Sequence, residues 1–169
     1  MKRAVTIVGS YNVGLFIKGK RLPARGETVI ADEFKESGGG KGSNQAVAAA
    51  KFGASVRLIA RVGADRYGRD ALAMYRKLGM DTGSVRIDRT IHSGISVILI
   101  DQDGNNLIAV VPGANLNLSR KDLDSAEDVL RSSRLVGFQL ENDHETVFYG
   151  IRRAHDLGVT TFLDPGPAI

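Results

Sequence analysis

The chain has 169 residues, a net charge of +4, 43% apolar and 25% charged residues, and no cysteine or tryptophan. That is an ordinary globular composition, long enough for one domain with a core. The missing cysteines exclude disulfides and thiolate metal sites and suit a cytoplasmic protein, and no apolar run approaches the length of a membrane span. A pI of about 9.5 raises nucleic acid as a partner. The basic residues are mixed with acids, however, as in "RVGADRYGRDALAMYRK", and no basic run is interleaved with aromatics. A solvated surface, or attraction for an anionic small molecule, is the better reading, so neither nucleic acid nor membrane is expected as a partner.

In chain order, "AVTIVG" (Ala4–Gly9) is a short apolar run ending at glycine, the pattern of a buried parallel strand and not of a signal peptide. Gly26–Ser37 mixes polar and apolar residues like a more exposed strand. Ser43–Phe52 reads as a helix closed by Gly53, Ser55–Gly63 as a strand, and Asp65–Met80 as an amphipathic helix stopped near Gly79. Ser93–Gly113 reads as two strands joined by the turn "DQDGNN". A helix starts near Ser119, with Asp122 at capping-box distance. "RLVGFQLE" is a strand, "DHETVFYGIRRAHDLG" a helix and "VTTFLDPGPA" a last strand with a proline-rich exit. Alternating strands and helices predict an α/β fold with a mainly parallel sheet flanked by helices. The mixed strands at about 15–36 and 93–111 are expected to form a small outlying sheet, and no linker divides the chain.

The stretch "SGGGKGSNQAVAAAKFGA" (Ser37–Ala54) carries the chemistry. The Walker pattern fails because Gly42 follows Lys41, and the dinucleotide fingerprint fails because Ser43 stands at its sixth position. What remains is a flexible approach to a helix N-terminus, whose free N–H groups can meet hydroxyl or anionic oxygens. Lys41 and Asn44, three apart, share the side of the first turn that would face a ligand. An asparagine amide both donates and accepts, as a sugar hydroxyl does. Spacing alone divides evenly between this reading and a tight turn followed by an N-cap at Ser43. "DQDGNN" is not a calcium loop, since its glycine falls at the fourth position instead of the sixth. His92, His144 and His155 are scattered, and no metal site is expected.

"GGGKGSNQAVAAAKFGASVRLIARVGADRYG" resembles the first signature of the ribokinase-like (PfkB) carbohydrate kinases. "VGSYNVGLFIKGKRLPARGETV" resembles their opening strand and sugar loop, "SGISVILIDQDGNNLIAVVPGANLNLS" their lid strands and "GAN" turn, and "FQLE" and "LDPGPA" two later strand ends. The resemblance spans nearly the whole chain and is closest to the ribokinases. It implies a ribokinase-like α/β fold with a small β lid, residues 1–169 being its N-terminal substrate-binding portion, with the C-terminal half of the fold absent. It implies that Asn12, Gly39, Gly40, Lys41, Asn44 and Glu141 meet the sugar and that Ser96, Ile108 and Val110 line the lid side of the pocket. It places the catalytic base, and the site for ATP and Mg2+, in that absent half.

The resemblance further implies an ATP-dependent sugar kinase acting on a hydroxymethyl group, with this chain inactive alone, and a homodimer formed through lid strands or an exposed sheet edge. A non-catalytic sugar-binding or dimerising module is the alternative, and an unrelated nucleotide-binding α/β protein is disfavoured by the failed phosphate-loop patterns. One position departs from the family: Gly14 stands where the ribokinases carry an aspartate. A carboxylate there could accept two hydrogen bonds from neighbouring hydroxyls; glycine supplies none, so either the sugar is not ribose or affinity for it has been lost.

Overall fold

The structure, a computed structural model, describes residues 4–167. The basic start of the chain and the final alanine of the exit segment lie outside them. Five strands form an all-parallel sheet in the order β5 (Val85–Asp88), β4 (Val56–Gly63), β1 (Val5–Val8), β8 (Leu135–Gln139) and β9 (Thr160–Asp164). Its central strands are apolar on both faces because both faces are covered, as parallel sheets require. On one face Ile7, Leu58, Ala60 and Val62 pack against α1 (Lys41–Lys51) and α2 (Arg66–Lys77) through Ala46, Ala71 and Tyr75. On the other, Val8, Ile59, Val136 and Phe138 pack against α3 (Arg120–Asp124), α4 (Glu127–Arg131) and α5 (His144–Asp156) through Leu123, Leu130, Val147 and Ala154.

A second sheet has the order β3 (Glu33–Gly39), β2 (Asn12–Lys18), β6 (Gly94–Ile100) and β7 (Asn106–Val111). β2 and β6 run parallel, and each carries an antiparallel partner outside it. The "DQDGNN" hairpin is closed by Asp101, whose carboxylate accepts from the N–H groups of Asp103 and Asn105, and by Gly104 at φ 86°.

Several boundaries differ from the sequence reading. The strand expected over 26–37 begins only at Glu33, after a loop that turns at Gly26 with φ 78°. The single helix expected after Ser119 is two short ones broken at Ser125–Ala126, where the Ser125 hydroxyl donates to the Lys121 carbonyl at 2.8 Å. Such back-bonding competes with helix continuation. The capping box of Ser119 and Asp122 is present. The edge strand β5 and the 3-10 turn Gly113–Asn117 have no periodic signal to reveal them.

Candidate functional site

The helix that follows the glycines starts two residues earlier than its periodicity suggests. Gly40 is the N-cap, at φ 89° and ψ 138°, a conformation open to glycine and strained for other residues. The turn is pressed onto the end of β1: a Cβ on Gly42 would lie 2.6 Å from the Gly9 Cα. What approaches the glycines so closely is another stretch of main chain. Ser43 is not the cap but a buried residue of the first turn, where Tyr75 donates its hydroxyl hydrogen to Ser43 Oγ at 2.9 Å. Burial pushes the Tyr11 hydroxyl beside it up to about 12, so the floor under the glycines is neutral at physiological pH.

The N–H groups expected to be free are largely taken. Lys41 N–H donates to Glu141 Oε2 at 2.8 Å, and Ser43 N–H donates to the Ser10 carbonyl at 2.8 Å. Ser10 Oγ also donates to Glu141 Oε2. Glu141, two residues beyond β8, therefore caps α1 from across the sheet, where negative charge complements the helix dipole. Both of those bonds use Oε2, which leaves Oε1 without a protein partner among the described residues.

A cleft of about 830 Å³ opens between the second sheet and the carboxyl ends of β1, β8 and β9. This is where open α/β sheets bind ligands. Asn12, Gly39, Gly40, Lys41, Asn44, Ser96, Ile108, Val110 and Glu141 all line it. Asn12 is the first residue of β2 and not a loop residue. Its alternation with Gly14 and Phe16 puts all three on the cleft face. Strand register then builds rows: Gly39, Asn12 and Gly94; next Ser37, Gly14, Ser96 and Val110; then Phe16, Ile98 and Ile108. The face thus runs from small and polar residues near the parallel sheet to Phe16, Ile98 and Ile108 further out, with Asn106 in the row beyond.

At Gly14 the expected departure has a structural counterpart. A Cβ there would lie 2.7 Å from a ring carbon of Phe16 and 3.4 Å from the Ser37 carbonyl oxygen. The phenyl ring is folded over the glycine and takes the room a side chain would need.

The sequence reading missed Ser10, Asn115 and Asn142. Asn115 belongs to the "GAN" turn, a sign of kinship to which no role attached. Asn142 carried no signal at all, being one polar residue in a polar loop. It is buried, its Nδ2 donates to the Asn115 carbonyl at 2.9 Å, and its Oδ1 has no partner among the described residues.

Asp65 anchors the second sheet, and a charged cluster on Arg61 braces the end of the parallel sheet. Asp65 caps α2 by accepting from Gly68 N–H at 2.8 Å, and it also accepts from the N–H and hydroxyl of Ser93, the residue before β6, each at 2.7 Å. Burial opposes ionisation of Asp65, but these bonds outweigh it and hold the carboxyl below its ordinary value. Arg61 bridges Asp88 at 3.0 Å and Asp122 at 3.1 Å. Bonds from Thr90 and Asn117, together with Arg61, hold Asp88 well below the usual carboxylate range.

Comparison with known proteins settles the kinship. Residues 2–168 match the family described as pfkB family carbohydrate kinase. The chain belongs to that family. It is 34% identical over 165 residues to a deoxyribokinase of Salmonella typhi, covering 98% of this chain and 54% of that protein. It is 34% identical over 166 residues to a ribokinase of Mus musculus, covering 98% and 51%. The Arabidopsis thaliana ribokinase solved with ribose and ATP superposes with a TM-score of 0.85 at 29% identity, over 98% of this chain and 54% of that one. The pfkB chain described here spans about half the length of the relatives it matches, and its fold is the ribokinase fold over that span.

Proposed function

We propose that this chain forms the sugar-binding and lid portion of an ATP-dependent sugar kinase that phosphorylates a hydroxymethyl group. One observation carries the reading: residues from β2, the β3–α1 junction, β6, β7 and the loop after β8 line a single cleft. Their chemistry suits a polyol. The amides of Asn12 and Asn44, the Lys41 ammonium and the Glu141 carboxyl supply donors and acceptors, while Ile108 and Val110 offer apolar cover for C–H faces. The chain's part in the reaction is to bind and orient the sugar and, through the second sheet, to exclude water from it. Relatives named ribokinase and deoxyribokinase support a pentose. The phenyl face of Phe16 over Gly14 offers no hydrogen-bond partner and favours a C–H edge at that point over a hydroxyl.

ATP would supply the transferred phosphoryl group. The described residues fit the sugar better than the nucleotide: the N-terminus of α1 is capped from within, and no group of three or more His, Asp or Glu among them could hold a metal ion. We therefore expect no turnover from this chain alone. Leu107, Ile108, Val110 and Val111 on β7, each about half exposed, support a homodimer through the lid strands. They also favour the alternative of a non-catalytic sugar-binding or dimerising module. A cytoplasmic setting goes with the cysteine-free composition.

Calorimetric titration with D-ribose, 2-deoxy-D-ribose and D-fructose tests the sugar site. One of them should bind, and Glu141→Gln or Asn44→Ala should weaken it about tenfold. Gly14→Asp combined with Phe16→Ala, which clears the ring from that space, should raise the affinity for ribose by a similar, about tenfold, factor through charge-assisted bonds. Absence of heat with all three sugars would sink the reading. Reading the coding sequence after Ile169 for a "GAGD" signature separates kinase from non-catalytic module.

A further inference from the structure

Asn115, 1% exposed, lies beneath the cleft and uses both ends of its side-chain amide inside the fold. Its Oδ1 accepts from Tyr11 N–H at 2.9 Å. The two hydrogens of its Nδ2 serve three acceptors, one hydrogen being shared: the carbonyls of Tyr11 and Pro112, each at 2.9 Å, and Asn12 Oδ1 at 2.8 Å. Backbone groups dictate this orientation, because a peptide N–H only donates and a carbonyl only accepts. Tyr11 N–H demands an oxygen, and the two carbonyls demand the nitrogen. With Asn115 held this way, the atom of Asn12 that meets it must be the acceptor.

The NH2 group of Asn12 is thereby turned away from Asn115, and among the described residues it has no protein acceptor, while the residue lines the cleft. Packing enforces the arrangement. A Cβ on Gly94 would lie 1.9 Å from Asn12 Oδ1 and 2.4 Å from Asn115 Nδ2, so the pair occupies the space a side chain would fill. Asn142, by donating to the Asn115 carbonyl, ties this unit to the loop that carries Glu141.

We infer that Asn115 is a positioning residue that fixes the amide of Asn12 with its NH2 group toward the cleft, so that this point of the site recognises an acceptor lone pair on a sugar oxygen. The ligand's identity rests on the sugar-site reading above; the orientation of Asn12 does not.

Two measurements on the whole chain test this. In the sugar-free protein, proton–nitrogen NMR should show the Asn115 side-chain NH2 protected from solvent exchange and that of Asn12 exchanging about tenfold faster or more. The reverse pattern overturns the inference. The second is a double-mutant cycle on the affinity for the tighter of D-ribose and 2-deoxy-D-ribose. Asn12→Asp keeps an acceptor for Asn115 and removes the cleft-facing donor, so it should hold its melting temperature and lose affinity about tenfold or more. Asn115→Ala should weaken binding in the wild-type background and cost little more once Asn12→Asp is present. Additive losses, which a merely structural role would give, or unchanged affinity in Asn12→Asp, overturn the inference. If no sugar binds the wild-type chain while the exchange pattern holds, the sugar reading fails and the orientation of Asn12 stands.

Discussion

The two sheets are built on opposite terms. In the parallel sheet, β1, β4 and β8 are covered by helices on both faces, and their side chains are almost all buried. In the second sheet, β3 and β7 are exposed along nearly their whole length. Its buried apolar residues include Val13 and Ile98, and it is tethered to the parallel sheet through Asp65, Ser93, Gly94 and Asn115. The first sheet is held by apolar burial, the second by its ladders and a few polar joints. Elements of the second kind open at lower free energy, and moving lids are drawn from them. The cleft lies where the two meet.

The sharpest contrast comes from paired truncations. Phe138→Ala, at a fully buried site where α5 approaches so closely that a Cβ on Gly150 would lie 2.8 Å from the ring, should cost about 3–5 kcal/mol in denaturant unfolding. Phe34→Ala on β3, 63% exposed, should stay within about 0.5 kcal/mol. Equal losses would erase the distinction between the sheets.

Gly94→Ala attacks the joint itself. The added methyl collides with Asn12 and Asn115, and we expect about 1–3 kcal/mol of destabilisation confined to the second sheet. Hydrogen exchange should quicken at amides of β2 and β6 and stay unchanged in β1, β4 and β8. Uniform quickening would mean that the two sheets unfold as one unit.

Acid should act on the same joint. Against the cost of its burial, the folded-state carboxyl of Asp65, which accepts from the N–H and hydroxyl of Ser93 just before β6, is held below its ordinary value by its hydrogen bonds. Groups depressed on folding contribute stability that is present above the unfolded value, about 3.9, and lost as pH falls through the folded value. Below about pH 4, exchange in β6 should therefore rise before exchange in β8 does. The smallest effect concerns Leu107→Lys on the exposed β7, which should leave stability within about 0.5 kcal/mol while abolishing the proposed homodimer in light scattering. A variant that remains as associated as the wild type would place the contact elsewhere.

Much of the parallel sheet was legible in the chain, because a strand covered on both faces must be mostly apolar and a helix covered on one must repeat near 3.6 residues. Val5–Val8, Val56–Gly63 and the helices around Ala46 and Tyr75 carry that mark plainly. The nine residues placed in the sugar pocket came from resemblance, since residue spacing alone left even Lys41 and Asn44 undecided. The strand at 85–88 and the start of β3 were not legible, because short or exposed strands bury too little to impose a pattern.

What the chain determined by itself, then, is whatever depends on periodic burial: the layer order and the glycine-led turn into α1. Tertiary structure alone decided that Glu141 caps that helix from across the sheet, that Phe16 fills the space over Gly14, and that Asn115 turns the amide of Asn12. Each is a contact between single polar or aromatic groups distant in sequence or turned by local packing, and such contacts leave no periodic trace because one hydrogen bond or one ring constrains one position, not a face.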